Sequence, residues 1–336
     1  MFRFRRKPEV QPANTPVDTA RAAVPTRAAE AILKRLEWTV LRRLDGQLFG
    51  DYRTLFRGVG LDLADLREYQ YHDDVRHIDW NVTARLQTPY VREYREDREL
   101  AAWFLLDLTA SIEFGSHLTS KQAVARDFVA LLARVLTRRG NRVGMMIYGG
   151  KVDTVIPPGS GRRHVLRLLN RMLTRPTPAP GETDLRELLS TAVRALRRRS
   201  MLFVVSDFIS KPGWEPLLAQ LTQRHEAVAI RLYDPLESEL PDLGAMLFED
   251  AESGEQIWID THDATFRRRF AAAAERREAA LRSALGDAGV DTLELSTGDD
   301  LVETILRFAD LRKRRRQLSA GGRLPAHLAG SRGARR

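Results

Sequence analysis

The sequence contains no cysteine. Disulfide bonds, thiolate metal sites and cysteine nucleophiles are therefore excluded, and the composition agrees with a reducing compartment. Long apolar runs are also missing, since no window approaches the roughly 18 apolar residues that a membrane-spanning helix requires. Residues 1–8 are basic, but Pro, Gln and Asn follow them where a secretory signal would have its apolar core. We therefore expect a cytoplasmic protein with no stable membrane insertion.

Acidic residues are missing from both ends of the chain. Residues 312–336 carry nine Arg or Lys side chains and residues 1–8 carry four, with no Asp or Glu in either segment. Because the whole chain has a net charge of +9, residues 9–310 have a net charge of −4. We predict disordered, solvated tails over residues 1–27 and 312–336. Weak attachment of these tails to nucleic acid or to an anionic membrane is the alternative.

The segment between residues 28 and 100 changes its pattern half-way. In residues 28–49 the apolar side chains recur at helical spacing, which predicts an amphipathic helix. Residues 50–100 combine glycines, aromatic residues and many charges, so we expect short strands and turns there and not a helix. Residues 28–100 are therefore predicted to form an N-terminal helix and a small β-rich addition.

Residues 101–311 alternate short apolar strands with amphipathic helices. The predicted strands end near residues 107, 148, 205, 232 and 295, and hairpins are expected at 149–150 and within 241–260. Alternating strands and helices are typical of parallel sheets with helices on both faces. The predicted fold class is therefore α/β, with a doubly wound, mostly parallel sheet of the Rossmann type.

Two of the predicted strands end in a carboxylate. One runs into Asp107, with hydroxyls at Thr109 and Ser111, and another ends at Asp207. The carboxyl ends of parallel strands share one edge of the sheet, where open α/β sheets bind ligands. A loop before the helix that precedes the second strand adds Thr183. These hard oxygen donors suit Mg²⁺ or Mn²⁺, which take about six oxygens, and they leave one position open.

Each of these residue types is also a common helix cap. Ser, Thr and Asp at the start of a helix accept hydrogen bonds from its first N–H groups. Five such residues at three junctions that face one another favour a metal site over capping alone. Asp184, next to Thr183, is by contrast expected to cap the helix that follows it.

A second group of polar and aromatic residues lies upstream of the predicted sheet. Its aspartates and histidines have the residue types for acid/base catalysis, but no pocket is visible in the sequence. We favour a structural role, in which Arg76 and Arg85 form bidentate ion pairs and Trp80 packs, ahead of contact with a partner. The residues of this group are Arg67, Glu68, Tyr69, Asp73, Asp74, Arg76, His77, Asp79, Trp80 and Arg85.

The pattern Asp107-x-Thr109-x-Ser111, followed by Thr183 and by Asp207 after a strand, resembles the metal-ion-dependent adhesion site of von Willebrand factor A domains. That site usually begins Asp-x-Ser-x-Ser, and Thr109 keeps a hydroxyl at the altered position. The resemblance implies that the five residues hold the metal from three loops. It also implies that an acidic side chain of a partner completes the coordination.

The string Asp-Asp-Val-Arg-His-Ile-Asp-Trp, from Asp73 to Trp80, narrows the resemblance. It looks like the domain-of-unknown-function 58 family, which joins such a segment to a von Willebrand A-like domain. Members are typically encoded beside a MoxR-type AAA+ ATPase. The resemblance therefore implies that this ATPase, or a client protein with an acidic residue, is the partner of a chaperone-like adaptor. Many relatives carry N-terminal membrane helices, which we do not expect here.

Two other functions stay open at the level of the sequence. A metal-dependent hydrolase acting on a phosphoester would use the same carboxylates, with Glu113 or an upstream histidine as its base. Binding of nucleic acid through the basic tails is the other alternative. The sequence contains neither a Gly-x4-Gly-Lys-Ser/Thr motif nor a Gly-x-Gly-x-x-Gly motif after a strand. We expect a non-enzymatic, Mg²⁺-dependent module for protein–protein interaction.

Overall fold

A six-stranded sheet forms the centre of the protein. The structure is a computed structural model, and it describes residues 2–3, 27–39, 66–70, 75, 78–92, 101–116, 119–176, 181–250 and 253–319. The strands are β1 (Phe2–Arg3), β2 (Leu66–Glu68), β3 (Tyr90–Arg92), β4 (Ala102–Asp107), β5 (Val143–Tyr148), β6 (Val152–Gly159), β7 (Met201–Ser206), β8 (Glu226–Tyr233), β9 (Ala245–Asp250), β10 (Gln256–Asp260) and β11 (Asp291–Ser296). The helices are α1 (Arg27–Thr39), α2 (Trp80–Leu86), α3 (Lys121–Arg138), α4 (Gly161–Leu173), α5 (Leu185–Ala195), α6 (Glu215–Arg224), α7 (Ala264–Asp287) and α8 (Leu301–Ser319).

The strand order of the central sheet is β11-β8-β7-β4-β5-β6. Five strands run parallel, and only the edge strand β6 is antiparallel to its neighbour β5. The chain thus starts in the middle of the sheet, builds one side and then returns to build the other, which is the doubly wound arrangement. The predicted α/β fold class is confirmed, as is the predicted hairpin between β5 and β6.

Alternate residues of each central strand enter separate hydrophobic cores, because side chains along a strand point to opposite faces. Phe104 and Leu106 of β4 pack under α1, α3, α4 and α8, whereas Trp103 and Leu105 pack under α5, α6 and α7. In the first core Phe104 stacks on Phe203 at 5.2 Å, and both rings meet Phe128 edge-on. The sheet is therefore covered on both faces, which explains why its strands are almost continuously apolar.

Helix α1 belongs to the first of these cores. Ala29, Leu33 and Leu36 are buried there against the sheet side that carries α3 and α4. Arg35 also pairs with Asp127 of α3. The predicted helix is therefore present from residue 27 to residue 39, and residues 40–49 of that prediction lie outside the described residues.

One helix lies where short strands and turns are predicted. Residues 80–86 form α2, which follows Asp79 and ends at Leu86, just before Gln87, whose backbone has a φ of +55°. The Oδ1 atom of Asp79 accepts a hydrogen bond from the N–H of Val82, so a local cap starts this helix where hydrophobic periodicity gives no signal. The neighbouring prediction of strands is confirmed, since β2 and β3 pair antiparallel.

The two basic ends are partly structured. Phe2–Arg3 forms a short strand that pairs antiparallel with β9, although the composition predicts disorder through residue 27. Helix α8 continues to Ser319, beyond the predicted boundary at residue 311. Arg312 is buried in it and bonds Asp291 and Glu226 at the amino edge of the sheet. These partners are distant in sequence, so the composition of the tail gives no sign of them.

Within the described part of the chain, no helix is long and apolar enough to cross a membrane. The longest helix, α7, has 24 residues but is rich in Arg and Glu, and only Ala274 and Leu285 on it are buried.

Substitution of Gly144 by alanine should destabilise the protein by about 1–3 kcal/mol, the usual cost of overpacking a core. Gly144 lies on β5 beside Trp103 of β4, and an added Cβ would stand 2.8 Å from the indole ring. Urea unfolding measures the effect.

Gly286→Ala is the matched control, because Gly286 lies in α7 with nothing within 4 Å of an added Cβ. That variant should be stabilised by up to about 1 kcal/mol; equal stability of Gly144→Ala and wild type would contradict this description of the core.

Candidate metal site

The carboxyl edge of the sheet brings the five predicted metal ligands together. Asp107 is the last residue of β4, and the loop after it contributes Thr109 and Ser111, the latter in a short 3-10 turn over Ala110–Glu113. Thr183 lies in the loop before α5, and Asp207 directly follows β7. Since β4 and β7 are hydrogen-bonded neighbours, their ends meet. All five side chains keep at most 4% of their surface exposed.

The three hydroxyls and Asp107 form a continuous chain of short contacts. Thr183 Oγ1 donates to Thr109 Oγ1 at 3.1 Å, and Thr109 Oγ1 donates to Asp107 Oδ1 at 2.8 Å. Thr109 Oγ1 and Ser111 Oγ lie 3.3 Å apart. Two loops that are far apart in sequence therefore meet at the hydroxyl of Thr109.

This spacing fits a small divalent cation. Mg²⁺ binds oxygens at about 2.1 Å in octahedral geometry, so adjacent ligand oxygens lie about 3 Å apart. The contacts of Thr109 with Asp107, Ser111 and Thr183 have that separation. Within the described residues, no group of three or more His, Cys, Asp and Glu side chains is placed to hold a metal. The candidate donors are three hydroxyls and two carboxylates. Such a set suits Mg²⁺ or Mn²⁺ and not zinc.

Asp107 carries its negative charge in a fully buried position. Burial raises the pKa of Asp107 to about 6, and the nearby carboxylate of Asp207 acts in the same direction. Hydrogen bonds oppose this shift: Ser206 Oγ donates to Asp107 Oδ2 at 2.7 Å, and the hydroxyl and the N–H of Thr109 donate to Oδ1. The site therefore holds a carboxylate whose charge a bound cation would favour.

Asp207 has a different electrostatic partner. The ammonium of Lys121, at the first position of α3, lies 2.8 Å from Asp207 Oδ2 and 2.8 Å from Glu237 Oε1. Burial by itself lowers the pKa of Lys121, but the two carboxylates raise it above its usual value. Burial raises the pKa of Glu237, against the lowering effect of Lys121. A buried, positively charged lysine thus stands beside the candidate metal site.

Further hydrogen bonds fix the loops that carry the site. Ser210 Oγ donates to the carbonyl of Thr183 and accepts from the N–H of Leu185, which ties the loop after β7 to the loop before α5. Asp234, at the end of β8, accepts hydrogen bonds from Ser116 and Thr297. Burial raises the pKa of Asp234, but these hydrogen bonds have the larger combined effect and hold the pKa below its usual value. The ends of β7, β8 and β11 are therefore linked to the loops around the site.

The loop after β7 adopts a strained backbone at the site. Phe208, directly after Asp207, has a φ of +57°, a left-handed conformation that residues other than glycine rarely adopt. Its N–H donates to Ser206 Oγ, and its ring packs on Trp214 at 5.4 Å. A hydrogen bond and burial of the ring thus compensate for the strain at Phe208, the residue next to Asp207.

Asp184 caps α5, as predicted. Its carboxylate accepts from the N–H of Arg186 and pairs with that residue's guanidinium. The N–H of Asp184 in turn donates to the hydroxyl of Tyr148 at 3.0 Å. Asp184 therefore fixes the loop of Thr183 without turning its carboxylate towards the other site residues.

The upstream group of residues is only partly described. Asp73, Asp74, Arg76 and His77 lie outside the described residues, as do the side chains of Arg67 and Leu66. Asp79 is buried and caps α2. The expected packing of Trp80 is wrong, because its side chain is 69% exposed. Trp80 occupies the first position of a short helix, where the cap fixes the backbone and leaves the indole at the surface.

Glu68, Tyr69 and Arg85 complete the described members of that group. Glu68 and Arg85 are exposed and Tyr69 is half-buried. The N–H of Tyr69 donates to the carbonyl of Pro89, which extends the pairing of β2 and β3. Within the residues that the structure describes, this segment stabilises its own small ribbon through Asp79 and the backbone.

Three residues of the site were not among the predicted ligands: Lys121, Ser206 and Glu237. Lys121 does leave a signal in the sequence, since a cation at the start of a helix opposes the helix dipole and needs a specific reason. Glu237 belongs to the pattern Asp-Pro-Leu-Glu, a capping box in which its Oε2 accepts from the N–H of Asp234. Neither pattern reveals that the two side chains meet, because they are 116 positions apart in the chain.

A cavity lies at the opposite, amino edge of the sheet. It measures about 1020 Å³, and its described lining includes Trp103, Arg142 and the arginines of residues 197–199. Those described lining residues include no carboxylate or histidine. Open α/β sheets bind ligands at the carboxyl edge, so the site built around Asp107 remains the candidate.

The family of the chain follows from its sequence. The profile of the family described as "Protein of unknown function DUF58" matches residues 65–280, which is more than half of the chain. The chain belongs to the DUF58 family. The matched segment includes all five predicted metal ligands as well as Lys121, Ser206 and Glu237.

This DUF58 protein has an uncharacterized relative in Mycobacterium tuberculosis strain H37Rv. The two sequences are 37% identical over 285 residues, which covers 84% of this chain and 90% of the relative.

Comparison with solved structures aligns this chain with two proteins of low sequence identity. The conserved hypothetical protein BatB from Bacteroides thetaiotaomicron aligns with 14% identity and a TM-score of 0.42, over 64% of this chain and 99% of that one. The SpRpn10 VWA domain aligns with 12% identity and a TM-score of 0.36, over 61% of this chain and 93% of that one. The α/β fold of the DUF58 chain is established by its own doubly wound, mostly parallel six-stranded sheet with helices on both faces.

The raised pKa of Asp107 predicts a pH-dependent stability difference between wild type and Asp107→Asn in metal-free buffer. The folded protein holds the Asp107 proton up to about pH 6, whereas the unfolded chain releases it near pH 4. Between these values the folded state binds more protons, so the free energy of unfolding of wild type falls as pH rises. The asparagine variant lacks this loss. Its stability relative to wild type should therefore increase by about 2 kcal/mol from pH 4 to pH 6.5.

Urea unfolding at a series of pH values measures this difference. A constant offset between the two proteins across the range would show that Asp107 has an ordinary pKa. Asp184→Asn is the control, because the hydrogen bond from Arg186 and other contacts hold the pKa of Asp184 below its usual value. Its stability difference from wild type should not rise over the same range.

Proposed function

We propose that this DUF58 protein is a non-enzymatic, Mg²⁺-dependent module for protein–protein interaction. The observation that carries the proposal is the cluster of Thr109, Ser111 and Thr183 hydroxyls beside Asp107, with oxygen separations that suit an octahedral cation. Asp107, Thr109, Ser111, Thr183 and Asp207 would hold the metal from three loops. Mn²⁺ fits the same donor set.

The charge of the proposed ligands favours recognition of an acidic group. Two carboxylates and three neutral hydroxyls leave a divalent cation attractive to a further anionic oxygen. An acidic side chain of a partner protein would supply that oxygen at the open position. The five residues are almost fully buried, so the loops around them would have to move before a partner's carboxylate could reach a bound metal. A buried site of this kind suits a protruding acidic side chain better than a bulky small-molecule substrate.

The proposed partner is a MoxR-type AAA+ ATPase, a client protein of that ATPase, or both. The support for this partner is the family membership, because the genes of DUF58 proteins typically lie beside the gene of such an ATPase. The protein would then act in the cytoplasm as an adaptor or co-chaperone in the assembly or activation of client complexes.

Metal binding tests the site directly. Isothermal titration with Mn²⁺ or Mg²⁺ should give one saturable site in wild type and none in Asp107→Ala, because that variant loses a carboxylate ligand. Asp184→Asn is the matched control: it removes the charge of a neighbouring carboxylate that bonds Arg186, asparagine still caps α5, and the variant should bind metal like wild type. Equal metal affinity in wild type and Asp107→Ala would overturn the proposed site.

Metal-dependent capture tests the proposed partner. The purified MoxR-type ATPase encoded by the same organism should bind immobilised wild-type protein in Mg²⁺ and be released by EDTA. Asp107→Ala should capture at least about tenfold less ATPase, whereas Asp184→Asn, which keeps a cap on α5, should capture the wild-type amount. Capture that is unaffected by EDTA would separate partner binding from the metal. Hydrolysis of a generic phosphoester that disappears in Asp107→Ala would instead show an enzyme.

A further inference from the structure

We infer that Lys121 is a built-in competitor of the divalent cation for Asp207, and that Glu237 holds the lysine when the metal is bound. The inference rests on the proposed function and adds a regulatory step to it. Its basis is the position of one buried ammonium between two carboxylates, of which only Asp207 belongs to the candidate metal site.

The contacts of Asp207 favour this competition. Oδ2 accepts from Lys121 Nζ at 2.8 Å, and Oδ1 accepts from the N–H of Ile209 at 3.0 Å. Both carboxylate oxygens are therefore engaged inside the protein. Each carboxylate oxygen has a second lone pair, so a cation that takes Asp207 as a ligand would share an oxygen with the ammonium at Oδ2 or with the N–H at Oδ1. At Oδ2 the two positive charges would repel each other, so binding there favours movement of the ammonium away from Asp207.

Glu237 makes release of the lysine possible. Its Oε1 lies 2.8 Å from Lys121 Nζ, so the ammonium already has a second carboxylate partner. Without Glu237, a lysine displaced from Asp207 would be a buried, unpaired charge, which proteins avoid at high cost. With Glu237, the displaced lysine stays in a neutral pair. The capping box at Asp234 fixes Glu237 in the 3-10 turn after β8, so this second partner is in place before any metal arrives.

The location of Lys121 supports a dedicated role. The residue occupies the first turn of α3, where a positive charge opposes the helix dipole, and its side chain is fully buried. A buried lysine at this position is unfavourable unless its partners compensate for it. Both of its carboxylate partners lie at the carboxyl edge of the sheet, one after β7 and one after β8.

Competition predicts opposite effects for two single substitutions. Lys121→Met removes the competitor, so Mn²⁺ should bind at least about tenfold more tightly than to wild type. Glu237→Gln removes the second partner and leaves Lys121 dependent on Asp207, so Mn²⁺ should bind more weakly. Isothermal titration of the full chain with Mn²⁺ measures both affinities, and the rise of the melting temperature with Mn²⁺ concentration gives an independent readout.

Arg312→Met is the matched control. Arg312 is also a buried cation between two carboxylates, Asp291 and Glu226, but it lies at the amino edge of the sheet. Its loss should lower the melting temperature without changing the affinity for Mn²⁺. A purely structural role of Lys121 would give the same result for Lys121→Met.

A double-mutant cycle separates competition for Asp207 from a general charge effect. The gain in affinity from Lys121→Met should disappear when Asp207 is already asparagine, because the lysine then has no ligand to withhold. A gain of the same size in the Asp207→Asn background would overturn the inference.

The variant Lys121→Met/Glu237→Gln covers the case in which Lys121→Met does not fold. It removes one positive and one negative charge, so the net charge of the cluster equals that of wild type. It should still bind Mn²⁺ more tightly than wild type does, because Asp207 has lost its internal partner.

The possible results distinguish the inference from the proposed function. Mn²⁺ binding in wild type that needs Asp107 but does not tighten in Lys121→Met or in the double variant overturns the inference alone. Binding to the lysine variants but not to wild type supports the inference and shows that wild type needs a partner to release Lys121. The absence of binding in every variant overturns both.

Discussion

Buried negative charge at the carboxyl edge of the sheet is the constraint on which the rest of the structure depends. Parallel pairing of β4 with β7 places Asp107 and Asp207 at adjacent strand ends, and covering both faces of the sheet removes them from water. Two buried carboxylates at adjacent strand ends destabilise the folded protein unless other groups compensate for their charge. The loops around this edge are built to provide that compensation.

The two carboxylates are compensated in different ways. Asp107 receives hydrogen bonds from Ser206 and Thr109, and its pKa still rises to about 6. Asp207 receives the ammonium of Lys121, which it shares with Glu237. The negative charge of Asp107 is thus not neutralised by a nearby cation, whereas that of Asp207 is neutralised by Lys121. A divalent metal would neutralise Asp107 and would compete with Lys121 for Asp207.

The accuracy of the sequence predictions depended on the range of the interactions involved. The alternation of strands and helices over residues 101–311 is a local pattern, and the sheet confirms it. Helix α2 depends on a single cap at Asp79, and Arg312 depends on partners about 20 and 86 positions away. Composition alone therefore placed Arg312 in a disordered tail and residues 80–86 in turns. Trp80 was expected to pack against other residues, but the cap that starts its helix leaves its side chain at the surface.

The sequence by itself determined the order of apolar strands and the residue types at their ends. From these it followed that Asp107, Thr109, Ser111, Thr183 and Asp207 lie at one edge of a parallel sheet, because the direction of parallel strands is shared. Only the tertiary structure decided which charges meet there. Lys121 and Glu237 come from a helix start and a 3-10 turn whose distance from Asp207 depends on how α3 and the end of β8 pack. Side-chain contacts between such distant elements have no periodicity in the sequence, so the lysine beside the candidate metal site appears only in the folded chain.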